Sequence, residues 1–309
     1  MKKSLVRRIG KGLSEYYPGD RYVVADSDRV RTKPGSMVYK VKIYSVNKGY
    51  RNLYAKEHRA EMRENIYEMM GLNDERLLMP RILDYFEDEN IVLSEGVEGD
   101  TLTRSLLGAH GLTLLNCSRK MGYAIGTLQN LTHRGIRRLG DLDIYLTKEI
   151  GSEKYFKTIL KGDLLKELKD QVEELKELKT GVSQYHGDPS PHNILLGDDR
   201  VSLLDYSFLD CPTFVDPALY IVSLELVRAR FGFLLENIVV KMENVFWRAY
   251  TETTKERVSG ASNWALIKTL TYLHFLLMYA TRKKTIKNSL VAAIDRRYLL
   301  KQIRRYENE

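Results

Sequence analysis

The clearest chemical signal in the sequence is a short polar segment that lies between two apolar stretches. His186-Gly-Asp188-Pro-Ser-Pro-His-Asn193 places a carboxylate and an amide five positions apart, and a second carboxylate, Asp205, follows twelve residues later. Carboxylate and amide oxygens are the hard ligands that Mg²⁺ prefers, and Mg²⁺ sites commonly combine one or two carboxylates with the phosphates of a substrate. The three side chains therefore indicate a site for Mg²⁺ and a phosphate-bearing substrate.

Two short apolar runs must position these side chains. Ile194–Leu196 and residues 201–204 stand on either side of a polar turn at residues 197–200. Apolar runs separated by a turn predict a β-hairpin. Such a hairpin presents the segment 188–193 before its first strand and Asp205 after its second, so the candidate ligands are expected at one end of a buried hairpin.

The motif HGDxxxxN followed by Asp resembles the catalytic and metal loops of the aminoglycoside phosphotransferase and choline kinase family, within the protein-kinase-like superfamily. The His-Gly-Asp form, in place of the His-Arg-Asp of protein kinases, favours the small-molecule branch. The resemblance implies that Asp188 accepts or orients the proton of an attacking hydroxyl, whereas Asn193 and Asp205 hold Mg²⁺. His186 is expected to hold the loop through a backbone hydrogen bond.

The resemblance extends to the first hundred residues. Lys33-Pro-Gly-Ser-Met-Val-Tyr-Lys-Val is similar to the family's phosphate loop, which implies that the backbone at Gly35 and Ser36 approaches the phosphates of ATP. Lys56, which ends Leu-Tyr-Ala-Lys, looks like the lysine that contacts the same phosphates. The strand and Gly-containing connector around Glu95 and Val97 are similar to the family's hinge, whose backbone groups face the adenine.

The family's lysine has a carboxylate partner on the following helix, and here several glutamates compete for that place. Those on or near the predicted helix are Glu57, Glu61, Glu64 and Glu68. The last three share one helical face because they are spaced by three and four residues. The distance to Met79-Pro-Arg favours Glu64, but only eight residues separate Glu64 from Lys56, so Glu68 remains an alternative.

Strand-like patterns dominate the first part of the chain and helix-like patterns the second. Period-two alternation and β-branched runs predict strands at residues 22–25, 38–44, 51–56 and 90–94, with a helix at 57–70. Apolar periodicity predicts helices at residues 112–133, 164–178, 216–231, 237–250, 264–282 and 289–305. In the last third, Asp216-Pro-Ala resembles a family element, and Asp216 is expected to be an N-cap with Pro at N1.

These patterns and the resemblance together predict an α+β, bilobal protein-kinase-like fold. Residues 1–96 are expected to form the nucleotide-binding lobe, a small antiparallel β-sheet with one main helix. Residues 97–309 are expected to form the larger, mostly helical lobe that carries catalysis and substrate binding. A length of 309 residues suits two such lobes, each with its own core.

Composition excludes several other classes of protein. Two cysteines cannot form a disulfide framework and no signal-peptide apolar run follows Met1, so a cytoplasmic location is expected. The formal charge is +8, but residues 281–309 carry nine basic and three acidic side chains, which leaves only +2 on the rest. The basic C-terminus is therefore read first as a solvated helix face, with contact to an anionic acceptor, partner or membrane surface as the alternative. No nucleic-acid partner is expected.

The sequence therefore predicts an enzyme that moves the γ-phosphate of ATP, with Mg²⁺, to a hydroxyl group of a small molecule such as a sugar, aminosugar or amino alcohol. Two alternatives stay open: a kinase that acts on a protein or a lipid-linked glycan, and a pseudokinase that only binds nucleotide. The C-terminal helices that would form the acceptor pocket contain both acidic and basic side chains. The identity of the acceptor thus does not follow from the residues.

Overall fold

The structure is a computed structural model that describes residues 3–33, 36–72, 74–106, 108, 111–142, 162–197, 200–254, 261–281 and 286–306. The chain forms two compact units. The first consists of Met1–Asp100 with Leu195–Leu204, and the second of Thr101–Ile194 with Asp205–Glu309. The boundary between two folding domains at residues 96 and 97 stays a prediction.

A five-stranded antiparallel sheet forms the base of the first unit. In spatial order its strands are β1 (Tyr22–Lys33), β2 (Ser36–Ser45), β3 (Gly49–Glu57), β5 (Ile91–Glu95) and β4 (Ile82–Phe86). Each of the four predicted strands overlaps one of these, and β4 was not predicted. The period-two pattern has the expected effect, because Val41 and Ile43 of β2 and Leu53 and Ala55 of β3 are fully buried.

A helix that the sequence analysis did not predict covers one face of this sheet. The helix α1 (Lys3–Tyr16) buries Leu5, Ile9, Leu13 and Tyr16, which recur every three or four positions and so lie on one side. These side chains share a core with the buried residues of the sheet. Further along, α2 (Arg63–Gly71) ends where it was predicted but begins later, because β3 continues to Glu57 in register with Ile91.

The predicted hairpin is present. β9 (Ile194–Leu196) pairs with β10 (Val201–Leu203) in a small sheet that also contains β6 (Asp100–Thr101). The hairpin turn is closed by a hydrogen bond of 2.9 Å from the N–H of Gly197 to the C=O of Arg200. Asp198 and Asp199 in this turn lie outside the described residues.

The second unit is mostly helical. Its helices are α3 (Leu102–Ser105), α4 (Gly111–Leu131), α5 (Gly162–Lys176), α6 (Val215–Phe231), α7 (Phe233–Thr254), α8 (Ala261–Thr281) and α9 (Ile286–Tyr306). A second three-stranded sheet orders β11 (Leu209–Pro212), β8 (Lys179–Tyr185) and β7 (Ile136–Arg138). The six predicted helices correspond to α4–α9, with ends that differ by a few residues.

The core of the second unit is organised around α6. Every residue of this helix from Val215 to Val227 is buried, and α8 and α9 contribute Leu270, Leu273, Leu299 and Ile303 to the same cluster. A helix that is apolar on all sides belongs in the interior of a domain. The apolar helix α8 belongs to this core as well. Among the described residues, no helix has the length and apolar character needed to cross a bilayer.

Candidate active site

The polar segment 186–193 joins β8 to β9 in the second unit and forms a tightly held loop. Its first residue, His186, is fully buried. The Nδ1 atom of His186 accepts a hydrogen bond from the N–H of Asp188 at 3.2 Å, and its ring packs edge-on against Tyr206 with centroids 4.4 Å apart. His186 thus has the structural role that the sequence analysis expected.

A buried carboxylate from α6 accepts hydrogen bonds from the backbone of the loop. Asp216 accepts hydrogen bonds from the backbone N–H of His186 at 2.6 Å and of Gly187 at 2.9 Å. Gly187 has a φ of +90°, and a Cβ atom there would lie 2.8 Å from Oγ of Ser207, so both conformation and space require glycine. The first two residues of the motif are therefore held by a side chain from a distant part of the chain.

The expected N-cap role of Asp216 is wrong. The helix α6 begins at Val215, and its N-cap is Phe214, which forms no side-chain cap. Asp216 lies inside the first turn, and its two carboxylate oxygens accept hydrogen bonds from the two N–H groups of the loop. Burial raises the pKa of Asp216 to about 6, and the two backbone hydrogen bonds oppose this shift.

Asp188 is half-exposed at the tip of the loop. Desolvation by partial burial would raise its pKa, but hydrogen bonds from His192 and Ser190 outweigh this effect and lower the pKa below its ordinary value. Its Oδ1 accepts from Ser190 Oγ at 2.5 Å, and its Oδ2 lies 3.4 Å from Nε2 of His192. The carboxylate is thus ionised at neutral pH and partly open to a ligand.

Asn193 is hydrogen-bonded to the same residue. Its Nδ2 donates to the C=O of Asp188 at 2.9 Å, and its own N–H donates to the C=O of Ser190 at 2.9 Å. With Nδ2 engaged, Oδ1 of the amide is left as an acceptor within the described part of the chain. An amide oxygen held in this way is a suitable ligand for a hard cation.

Asp205 follows the hairpin on an adjoining loop. It is exposed and has a φ of +71°, an uncommon conformation for a residue with a side chain and one that concentrates at functional sites. The two residues after it are anchored to the first loop. Tyr206 packs on His186, and Ser207 donates from its N–H to the C=O of His186 at 2.9 Å. The two loops that carry the candidate ligands are therefore directly joined.

Asn193 and Asp205 offer an amide oxygen and a carboxylate oxygen, which are donors of the kind that hard divalent cations prefer. Within the described residues, no cluster of three or more His, Cys, Asp or Glu side chains has the geometry of a metal site. A Zn²⁺ or Ca²⁺ cage built from such residues is therefore not present in that part of the chain. The amide oxygen of Asn193 with the carboxylate of Asp205 provides fewer protein ligands, which is usual for Mg²⁺ that also binds phosphates.

The residues expected to bind nucleotide lie in the first unit. Lys56 is on β3, opposite Val38 on one side and Val92 on the other, and it is half-buried. Ser36 begins β2 and pairs with Lys33 across the hairpin, whereas Gly35 lies outside the described residues. The structure thus places the lysine near the end of the central strand, next to β2, the strand that follows the expected phosphate loop.

The expected hinge has partly satisfied backbone groups. The N–H of Glu95 donates to Arg81 at 2.9 Å and that of Gly96 to Asn52 at 2.7 Å, whereas the N–H of Val97 makes no hydrogen bond to the described residues. The carboxylate of Glu95 accepts a hydrogen bond from Tyr17 and lies 3.9 Å from Arg81. Val97 therefore has a backbone donor available to a ligand.

The two candidate partners of Lys56 differ in their surroundings. Glu64 is exposed on α2 and forms no ion pair with any described residue. Glu68, one turn further along the helix, is half-buried. The choice between the two glutamates stays open, and the structure gives Glu68 the more protected position.

Two contributors to the site were missed by the sequence analysis. Asp216 was recognised as part of a motif, but its partners lie thirty positions upstream, and its position before a proline looked like a cap. Ser190, which contacts Asp188, lies inside the motif itself. The only sequence signal for it is that proline flanks it on both sides, which restricts the backbone of the loop.

Neither a protein-family model nor a curated protein sequence matches the chain. Solved structures do match over nearly the whole length. One is the amicoumacin kinase hAmiN in complex with AMP-PNP, Ca²⁺ and Ami, with a TM-score of 0.60 and 11% identity over 98% of this chain and 94% of that one. Another is glucosamine kinase in complex with glucosamine, ADP and inorganic phosphate, with a TM-score of 0.60 and 12% identity over 97% and 99%.

A choline kinase from Cryptosporidium parvum Iowa II is similar to the same degree, with a TM-score of 0.58 and 12% identity over 98% of this chain and 96% of that one. Identities this low carry information on the fold and not on the substrate. They confirm the predicted α+β class and the resemblance to aminoglycoside phosphotransferases and choline kinases at the level of structure. The chain has the protein-kinase-like fold that these small-molecule kinases share.

Proposed function

We propose that the protein is an ATP- and Mg²⁺-dependent phosphotransferase that transfers the γ-phosphate of ATP to a hydroxyl group of a small molecule. The observation that carries the proposal is the arrangement around Asp188. An ionised, half-exposed carboxylate lies in a loop that is anchored by Asp216 and hydrogen-bonded to Asn193. The loop of Asp205 is joined to it. This arrangement occurs in a fold whose solved relatives are small-molecule kinases.

In the proposed reaction, Asp188 accepts or orients the proton of the acceptor hydroxyl. Phosphoryl transfer passes through a loose transition state, so positioning and neutralisation of charge matter more than a strong base. Asn193 and Asp205 would hold Mg²⁺, which neutralises charge on the phosphate oxygens when it is bound. The hydrogen bonds from the backbone N–H groups of His186 and Gly187 to Asp216 serve this positioning, because they hold the backbone that leads into Asp188.

The first unit would bind the nucleotide. The backbone at Gly35 and Ser36 and the ammonium of Lys56 are proposed to contact the phosphates, with Glu64 or Glu68 as the partner of the lysine. Backbone groups of Glu95 and Val97 are proposed to face the adenine, and the available N–H of Val97 supports this assignment.

A small acceptor is favoured over a protein substrate. Only nine residues separate Asp205 from the first residue of α6, and four of them form β11. In protein kinases, this part of the chain carries a longer activation segment that orders the substrate site. We infer that the acceptor is a sugar, aminosugar or amino alcohol.

The two free, buried cysteines support a cytoplasmic location.

The proposal is tested by measuring ADP release from MgATP in the presence of single hydroxylated acceptors. Glucosamine, choline, ethanolamine and fructosamine are suitable first probes because kinases of the same fold act on such compounds. We expect at least one hydroxylated acceptor to stimulate ADP release and to gain a phosphate, detected by mass spectrometry. Nucleotide binding, measured as a rise in Tm, without turnover in any acceptor screen would identify a pseudokinase instead.

A further inference from the structure

Both oxygens of the Asp188 carboxylate are contacted by side chains of its own loop. Ser190 Oγ donates a hydrogen bond to Oδ1 at 2.5 Å, and Nε2 of His192 lies 3.4 Å from Oδ2. Ser190 Oγ also lies 2.9 Å from Nδ1 of His192. A serine hydroxyl has one proton, which is used toward Asp188. Its oxygen can then accept the Nδ1–H of His192, so the three residues form one hydrogen-bonded chain.

Ser190 cannot easily turn away from Asp188. It is only 5% exposed, and it lies between Pro189 and Pro191, which fix their own φ angles and restrict the residues before them. A hydrogen bond from the N–H of Asn193 to the C=O of Ser190 closes the turn at 2.9 Å. The C=O of Pro191 accepts from the N–H of Thr103 at 3.1 Å, which connects the turn to α3. The backbone thus holds the Ser190 hydroxyl in one place.

We propose that Ser190 is a positioning residue for phosphoryl transfer: its hydroxyl, which lies 2.9 Å from Nδ1 of His192, holds Oδ1 of Asp188, while Oδ2, 3.4 Å from Nε2 of His192, keeps a second lone pair for the proton of the acceptor hydroxyl. This inference rests on the proposed phosphotransferase function. An aspartate carboxylate turns about the Cα–Cβ and Cβ–Cγ bonds and samples several orientations, and only those that point one oxygen at the hydroxyl are productive. Fixing the orientation in advance lowers the entropic part of the barrier. It leaves the binding of ATP and acceptor unchanged.

The test compares Ser190→Ala with Ser190→Thr, which keeps the hydroxyl, and with a matched control. Ser223→Ala is the control because Ser223 is also 5% exposed, and its Oγ donates only to the C=O of Tyr220 within α6. Each variant is assayed with MgATP and the most active acceptor among glucosamine, choline, ethanolamine and fructosamine. The Tm shift produced by MgAMP-PNP reports nucleotide binding separately from turnover.

We expect Ser190→Ala to lower kcat roughly 10- to 100-fold, the factor that corresponds to a hydrogen bond to a charged group. The KM values for ATP and acceptor and the MgAMP-PNP shift should stay within twofold. Ser190→Thr should recover most of the lost kcat, and Ser223→Ala should match the wild type. An unchanged kcat in Ser190→Ala, or a loss that appears as a raised KM, would overturn the inference.

A second variant covers the case in which Ser190→Ala does not fold. His192 has a side chain that is 63% exposed, so His192→Leu leaves the core intact and removes the group that orients the Ser190 hydroxyl. We expect a smaller loss of kcat, and in the double variant a total loss below the product of the two single losses, because both act through Asp188. Multiplying losses would contradict the inference. Absence of acceptor-stimulated turnover in the wild type would instead refute the proposed function, and the inference with it.

Discussion

The carboxylate of Asp216 accepts a hydrogen bond from the backbone N–H of His186 at 2.6 Å, across thirty positions of sequence. This contact joins the first turn of the central helix α6 to the loop that presents Asp188. Because the second oxygen of Asp216 accepts from Gly187, the position of the loop that carries Asp188 depends on one fully buried, ionised group. Burial of a charged group lowers the stability of the fold, whereas its two hydrogen bonds fix the geometry of the loop.

The first prediction concerns the pH dependence of activity. Ionised Asp216 accepts both N–H groups, whereas protonation turns one of its oxygens into a weaker acceptor, and burial raises the pKa of Asp216 to about 6. We expect kcat to fall as the pH is lowered through about 6. Asp216→Asn should have a reduced kcat at neutral pH and a smaller fall in kcat over this pH range. Burial raises the pKa values of the neighbouring Tyr185, Tyr206 and Cys211, whereas that of Asp188 is lowered.

The free energy of unfolding should change in the opposite direction to kcat: it should rise as the pH is lowered and Asp216 is protonated. The folded-state pKa of Asp216 lies above its unfolded value, so its stabilising contribution is complete below about pH 4 and is lost as the pH rises through 6. Relative to Asp216→Asn, the wild type should gain about 1 kcal/mol in the free energy of unfolding between pH 8 and pH 5. Denaturant titrations at the two pH values measure this difference. An equal pH dependence in both proteins would show that Asp216 is not titrating.

The second prediction concerns the candidate base Asp188 and the two candidate metal ligands, Asn193 and Asp205. Asp188→Asn keeps the shape of the side chain and removes its charge, and we expect a loss of kcat of about 100- to 10,000-fold, as for loss of a general base. Asp205→Asn and Asn193→Ala should raise the Mg²⁺ concentration needed for half-maximal activity. Asp210→Asn is the control, since Asp210 is an exposed carboxylate on β11. Undiminished turnover in Asp188→Asn would remove the proposed mechanism.

The third prediction decides which glutamate pairs with Lys56. An exposed ion pair contributes little, whereas a half-buried carboxylate that pairs with a lysine is expected to orient its ammonium group. Glu64 is exposed and Glu68 is half-buried. We expect Glu68→Gln to raise the KM for ATP about tenfold and Glu64→Gln to leave it within twofold. The reverse result would assign the pair to Glu64, as the distance to Met79-Pro-Arg suggested.

Local patterns in the sequence predicted most of the elements, and the exceptions have physical causes. The hairpin of β9 and β10 and the helices α4–α9 follow from runs and periods a few residues long. The role of Asp216 did not follow, because an Asp-Pro pair at a helix start has the local appearance of an N-cap. Its actual partners, His186 and Gly187, come from another part of the chain. The partners of a buried polar side chain of this kind are set by the tertiary structure and not by the neighbouring residues in the sequence.

The helix α1 was not predicted, although Leu5, Ile9 and Leu13 have helical spacing. Such a short amphipathic helix is stabilised by the sheet it covers rather than by its own sequence. In the candidate site, the motif predicted Asp188, Asn193 and Asp205 by residue type, but the orientation of Asp188 by Ser190 required coordinates.

The fourth prediction concerns a carboxyl group in the helical core that the proposed mechanism does not use. Oε1 of Glu243 on α7 is buried and has no hydrogen-bond partner in the described part of the chain. Burial, followed by the nearby charge of Glu225, raises the pKa of Glu243 to about 7. Its stabilising contribution is therefore present below about pH 4.5 and is lost as the pH rises through 7.

Glu243→Gln should remove this dependence. We expect the wild type to gain about 2 kcal/mol in the free energy of unfolding relative to Glu243→Gln when the pH falls from 8.5 to 5. The variant should be the more stable protein at pH 8.5. Glu252→Gln on the same helix is the control, because Glu252 is exposed and should show no such difference. A wild-type stability that tracks the variant at both pH values would place the Glu243 pKa outside this range.

The last prediction separates the structural role of α9 from its charge. Asp295 is fully buried and forms a two-point ion pair with Arg230, at 2.9 Å from Nε and 2.6 Å from Nη2, while Leu299 and Ile303 lie in the core. Removing one partner of such a pair typically costs about 3–5 kcal/mol. Deleting residues 295–309 should therefore destabilise the whole second unit, and it cannot report on the basic face.

Charge reversal isolates that face. The exposed cations of α9 include Arg296, Arg297, Lys301 and Arg305, none of which forms an ion pair within the described residues. Because Arg297 and Lys301 are solvated, we expect Arg297→Glu with Lys301→Glu to change the free energy of unfolding by at most about 0.5 kcal/mol and to leave KM values unchanged. Sedimentation with phosphatidylserine vesicles tests the alternative. Near a membrane with anionic lipids each cation contributes about 1 kcal/mol, so binding by the wild type that the reversal abolishes would assign the face to a membrane surface.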